Sequence, residues 1–194
     1  MASSYSSDLS LELITTGEKA GLWGTITNTN LQILQQAASG YVAVPMTSGS
    51  DVTLSLADGS DTANGKNLYL KLTGTMTASI SLIIPTATSG GTATRTYIIE
   101  DTTDRTTANN YTINIKTAGS ATPVPLPEGA NIIVRSDGTD TVLAFIKPGI
   151  KDITAATITA YTAVNGDQVV VDTQANAVTI TLPITPNVTD EVTI

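Results

Sequence analysis

The chain has 194 residues, room for one ordinary domain or two small ones, with 41% apolar residues, 13% charged residues and a net charge of -8. It contains no His and no Cys, which removes the commonest general base, the thiolate nucleophile, disulfide bonds and the usual zinc ligand sets. The acidic balance argues against tracking a phosphate backbone, which needs clustered Lys and Arg. The first residues carry neither a basic nor an apolar leader region, and no stretch reaches membrane-spanning length. The expectation is a protein made in a cytosol that takes no nucleic acid, inserts in no membrane, binds no cofactor or metal and is not an enzyme.

Thr, Ser, Ala, Val and Ile dominate the composition, and aromatic residues make up only 4%. β-Branched side chains suit a pleated surface and are stiff in helices, so strands are expected, with Leu, Ile and Val filling the core.

Residues 1–40 read as a separate N-terminal segment. Leu9, Leu11 and Leu13 alternate with Ser10 and Glu12 as a short extended piece with one apolar edge. A glycine-punctuated loop follows around Trp23, the only Trp. Asn28 and Asn30 supply capping residues for a helix over 28–39, and Gly40 stands where a helix stop belongs. Leu31, Leu34 and Ala38 share one face of that helix. About three turns are marginal alone, so the helix is expected to dock, by preference on its own sheet. Trp23 is read either as an anchor for a partner's pocket or as the large core residue of a small N-terminal unit.

From 41 to 148 the sequence is a procession of alternating runs: Val52, Leu54, Leu56; Leu68, Leu70, Leu72; Ile80, Leu82, Ile84; Tyr97, Ile99; Tyr111, Ile113, Ile115; Ile132, Val134; and Val142, Ala144, Ile146. Turn signals at Asp58-Gly59, Thr73-Gly74, Gly90-Gly91 and Asp137-Gly138 separate them. Such spacing predicts an antiparallel β-sandwich of jelly-roll-like type, with the cleanest hairpin around Asp137-Gly138. The pairs Asp58/Asp61, Asp101/Asp104 and Asp137/Asp140 fit no calcium loop and are read as turn residues rather than catalytic or metal-binding carboxylates.

After Lys147-Pro148-Gly149, residues 149–194 read as a linker and the start of a second β-domain. An internal repeat emerges here. Strand-like runs at 67–70, 78–82 and 96–99 have the plan of those at 168–171, 178–182 and 191–194. The second copy stops at Ile194, where the first continues into further strands. Unpaired strand edges are templates for more pairing, so the chain is expected to be a fragment of a longer protein, or to be completed by neighbouring subunits.

The elements Thr16-Gly17-Glu18, Trp23-Gly24 and Thr27-Asn28-Thr29-Asn30-Leu31, within residues 11–31, resemble the opening of tail-fibre and related virion structural proteins of phages infecting marine bacteria and cyanobacteria. Residues 164–172 and 178–183 more weakly resemble a module that recurs in such fibres. The resemblance implies a homotrimer located in the virion tail, its N-terminal end fixed to a tail adaptor, nozzle or baseplate protein and a distal part, beyond this chain, reading the host receptor. Leu11, Leu13, Trp23, Leu31, Leu34 and Ala38 are the expected tail or trimer contacts. Two other classes fit less well. A capsid decoration protein would be a short, complete, high-copy chain. A secreted adhesin or carbohydrate-binding module would carry a secretion signal and exposed aromatic platforms.

Overall fold

A computed structural model describes residues 3–105, 111–120, 122–147, 150–154, 160–163, 167–174, 176–182 and 192–194; for 142–147, 150–154 and 172 the backbone is described. The protein is mainly β. Its strands are β1 Ser4–Tyr5, β2 Glu12–Leu13, β3 Tyr41–Pro45, β4 Val52–Thr53, β5 Tyr69–Thr75, β6 Ile80–Ile84, β7 Ala87–Thr88, β8 Gly91–Thr92 and β9 Arg95–Asp104. They continue as β10 Ile113–Thr117, β11 Val124–Leu126, β12 Asn131–Ser136, β13 Thr141–Lys147, β14 Ile150–Thr154, β15 Ala160–Thr162, β16 Gln168–Asp172 and β17 Thr179–Thr181. The one α-helix among the described residues, α1, spans Trp23–Ser39.

Two sheets organise the larger part of the chain. One has the order β13-β12-β9-β5-β3, the other β11-β10-β6-β4. Successive strands alternate between them, and the pairs β3/β5, β5/β9, β4/β6 and β6/β10 are all parallel. The chain therefore winds as a coil: a strand in one sheet, a crossing, a strand in the other, and a return one strand further along. This corrects the antiparallel expectation. A parallel pair needs a long crossover, and here a strand of the opposite sheet supplies it. Within these two sheets antiparallel pairing appears only where the coil closes, at β10/β11, β9/β12 and β12/β13. The hairpin expected around Asp137-Gly138 is β12/β13, with Gly138 at φ 90°.

The register explains the core. Val42 and Val44 lie beside Leu70 and Leu72, and Leu70 beside Ile99. In the second sheet Ile80 and Leu82 lie beside Ile113 and Ile115, which in turn face Leu126 and Val124. Inward apolar positions thus stack circuit on circuit, and one buried cluster draws on both sheets, from Val44 and Leu54 to Ile132 and Val134.

The repeat seen in the sequence is one circuit of such a coil. β14 runs parallel to β16, β15 to β17, and Gln168 bridges in parallel to Thr193. Tyr161, Ala163 and Val169 form its small buried cluster, with Val171, Val178, Ile180 and Val192 packed around them. Val188, expected in a third strand, lies outside the described residues. No helix among the described residues is long and apolar enough to cross a membrane.

Candidate docking surface

The N-terminal residues are fastened to the coil by polar contacts. The Asp8 carboxylate accepts hydrogen bonds from the Thr94 amide at 2.8 Å and from the Thr94 hydroxyl at 3.1 Å. The amide bond, more than any other contact, holds the Asp8 carboxyl below the usual carboxylate range. Ser10, fully buried at φ 54°, donates through Oγ to the Leu56 carbonyl at 3.1 Å, and its own carbonyl accepts from the Gly59 amide at 2.9 Å. Thr88 Oγ1 donates to the Ser7 carbonyl at 2.8 Å. Gly90 passes so close to this segment that an added Cβ would sit 2.4 Å from the Tyr5 carbonyl oxygen.

The helix is longer than expected, beginning at Trp23 rather than at 28. The N-cap is Leu22, without a capping side-chain bond. Asn28 and Asn30 are therefore interior helix residues, not caps. Asn30 instead ties the helix to β2. Its carboxamide accepts from the Glu12 amide at 3.0 Å and donates to the Glu12 carbonyl at 2.9 Å, pairing with that strand as another strand would. The Glu12 carboxylate is held by Ser3 Oγ at 2.7 Å and Lys19 Nζ at 2.9 Å, which lower its pKa in that order. Gly40 does end the helix, but not through a left-handed turn. Its φ is -68°, and a Cβ there would meet the Gln36 carbonyl oxygen at 2.6 Å.

The inward side of α1 is narrow, with Ile33 its one buried residue. Trp23, Leu31 and Leu34 are 64%, 57% and 43% exposed, and Ala38 is exposed as well. At 3.6 residues per turn these four occupy about a quarter of the helix circumference. The shared face was legible in the sequence; its direction was not. Trp23 is not a core residue, and Leu31, Leu34 and Ala38 do not pack on their own sheet. Ile33, with the half-buried Ile26 and Ala37, takes the inward side instead. Leu11, half-buried, and Leu13, 50% exposed, belong to the neighbouring extended segment, which the Asn30 clamp ties to the helix at Glu12.

Beneath this unit lies a charged cluster that sequence reasoning missed. Lys66 is fully buried in the turn before β5, and its Nζ has no hydrogen-bond partner among the described residues. Arg95 donates to the Lys66 carbonyl at 2.8 Å and to the Asp8 carbonyl at 3.2 Å, and Tyr97 Oη donates to the Gly65 carbonyl at 2.8 Å. Burial pushes the Lys66 ammonium down to about 8, partly offset by Asp58 and Asp61 and reinforced by Arg95. Between that value and the ordinary lysine range the unfolded chain binds the extra proton, so stability rises with pH across that window. Lys66→Met is expected to stabilise the protein by about 1–3 kcal/mol at pH 7, with the difference from wild type shrinking as pH climbs from 8 to 10.5. Urea titrations at several pH values measure this, and a pH-independent difference would contradict it.

A second buried constellation sits at the other end of β9. Asp101 and Arg105 pair at 2.6 Å, with 0% and 5% side-chain exposure. Asp101 also accepts from Thr103 and from the Gly129 amide. Asp101 is thus a strand residue with an ion partner, not the turn residue expected. Asp137 does make a turn, accepting from the amides of Thr139 and Asp140. In the second coil the Tyr161 hydroxyl donates to Asp167 at 2.8 Å, and burial, followed by that bond, raises its pKa.

An open groove of about 630 Å³ lies between residues 53–58 and 85–89, lined by Thr, Ser and apolar residues with Asp58 its one charged residue. The helix stripe is the more distinctive surface: it offers apolar contact and neutral amide hydrogen bonding, and no reactive group. The chain matches no protein-family model, no curated protein and no solved structure.

Proposed function

We propose that this chain is the N-terminal, tail-proximal portion of a trimeric bacteriophage tail fibre, a structural rather than a catalytic protein. One end would attach to the tail machinery, and the coils would support a distal receptor-reading part. The observation that carries this reading is that residues 11–31, where the resemblance lies, build a single fastened unit. Asn30 ties α1 to β2, the preceding residues are laced to the coil, and Trp23 and Leu31 are left outward. A rigidly mounted apolar surface on a coil of stacked strands suits an attachment part that must bear load. The apolar surface is where interface energy concentrates, and the stacked strands leave few edges open.

The test is the chain's place on the particle. Antibody labelling and quantitative mass spectrometry of purified virions are expected to put it on the tail at low copy number. Labelling of the head at hundreds of copies would replace this reading with that of a decoration protein, and its absence from virions would end both.

A further inference from the structure

The second coil is small. Its described residues bury Tyr161, Ala163 and Val169, with Val171, Val178, Ile180 and Val192 packed around them. Units of a stacked architecture bury too little one at a time, and about three are needed for stability. A single circuit therefore needs support from outside itself.

The first coil does not supply that support by extending its ladders. Its sheets end at β13 and β11, and among the described residues no strand of the second coil pairs with either. Pro125 stands at the middle of β11, where it has no amide to offer a further strand. Side chains meet instead. Tyr161 of β15 shares one small space, of about 40 Å³, with Arg105, Tyr111, Thr112, Leu126 and Glu128 at the closed end of the first coil. Such a space holds a few waters and no larger ligand, which makes it a seam rather than a binding pocket. Tyr161 is 8% exposed, Arg105 5% and Leu126 2%. After burial and the Asp167 bond, Glu128 raises and Arg105 lowers the pKa of the Tyr161 hydroxyl, so both charges of the first coil reach it.

We propose that the second coil is not an autonomous domain: in this chain it holds its fold only while seated on the closed end of the first, and Tyr161 is the side chain that couples them. Tyr161 belongs to both sides. It is the largest residue of the second coil's buried cluster, its hydroxyl is fixed by the buried Asp167, and it meets the first coil beside Leu126 and Arg105. The dependence runs one way. The first coil has its own cluster, drawn from both of its sheets, and its closure is held by the Asp101–Arg105 pair, so it keeps its fold when the seam opens. The coupling stands apart from the fibre reading and holds whichever surface of a particle carries the chain.

Hydrogen exchange of the full chain, followed by mass spectrometry, is the test. In the wild type β16 and β17 should be protected, though less than β5 and β9. Thr112→Trp alters the first coil alone, at an exposed position on the seam, and brings in an indole far larger than the space there. It should speed exchange in β16 and β17 by about a hundredfold and leave β5 and β9 unchanged. Tyr161→Ala should do the same, whereas Tyr161→Phe, which keeps the ring and loses one hydrogen bond, should speed it by no more than about tenfold. If Thr112→Trp disturbs β5 and β9 as well, Glu128→Ala must still speed exchange in the second coil by about threefold without affecting them.

A second coil whose protection is unchanged or increased by Thr112→Trp or by Tyr161→Ala overturns the proposal. So does a wild-type second coil that already exchanges at the rate of an unfolded chain. Equal loss in both coils under every variant would make them one cooperative unit and overturn the one-way dependence.

Discussion

Asp101→Ala is expected to destabilise the protein by about 3–5 kcal/mol, the cost of leaving one partner of a buried ion pair uncompensated. Against a total stability of roughly 5–15 kcal/mol for a natural domain, that is a large share. Asp101 and Arg105 stand where the winding ends and the chain turns back on itself. Arg105 donates to the Leu126 carbonyl in β11 at 2.8 Å. Asp101 accepts from the Gly129 amide at 3.0 Å, and its own amide donates to the Ala130 carbonyl at 3.0 Å, just ahead of β12. One pair thus joins the end of β9 to β11 and to the turn that leads into β12.

Removing the carboxylate strands a guanidinium that is 5% exposed and frees the Thr103 hydroxyl and two amides. The double variant Asp101→Ala with Arg105→Met is expected to recover part of the loss, since neither charge then remains unpaired. Urea midpoints of the four proteins measure the cycle. A loss below about 1 kcal/mol for Asp101→Ala would mean the pair behaves as a surface bridge.

Leu82→Ala is expected to cost about 2–5 kcal/mol, the transfer term plus a cavity that its neighbours cannot close. Leu82 is fully buried at the centre of β6, with Val52 of β4 on one side and Ile115 of β10 on the other. β10 is held in register by a second ladder to β11, so on that side the site has little freedom to collapse, whereas β4 is a two-residue edge strand paired with β6. The urea midpoint should fall with the slope unchanged. Leu182, 58% exposed, supplies the control: Leu182→Ala should change stability by less than about 0.5 kcal/mol.

Much of the core was legible because alternation marks the face of a strand. Leu70, Leu72, Ile80, Leu82, Tyr97, Ile99, Ile113, Ile115, Ile132 and Val134 were all expected inside and all are buried. Alternation says nothing about which strand lies alongside, and parallel and antiparallel ladders impose the same period of two. Tyr41 pairs with Tyr69, Tyr69 with Ile98, Val52 with Leu82 and Ile80 with Ile113. The offset lengthens from pair to pair as the corners vary, and that hides the period by which a coil would announce itself.

The charged cluster was missed for a different reason, although a signal existed. Asp101, Thr103 and Arg105 have the parity of Tyr97 and Ile99 along β9, so the alternation that placed the aromatic and the isoleucine inside places the charges inside too. For α1, the arc of Leu31, Leu34 and Ala38 followed from helical spacing, but an amphipathic pattern does not say which face is covered. Ile33 and the Asn30 clamp decide that, through a contact with Glu12 distant in sequence.

Because every strand of the winding pairs with its counterpart one circuit away, the unit of growth in this architecture is the circuit. A duplicated circuit inserted between β5 and β9 would find Leu, Ile and Val already placed above and below it, and would open no additional edge. It would lengthen the body by about 4.8 Å and leave the Asn30 clamp and the Asp101–Arg105 closure as they are, while the contacts of Ser7 and Asp8 with Thr88, Thr94 and Arg95 would have to be remade on the inserted circuit. Length can therefore change in fixed steps over evolutionary time without any change in the fold of the closure.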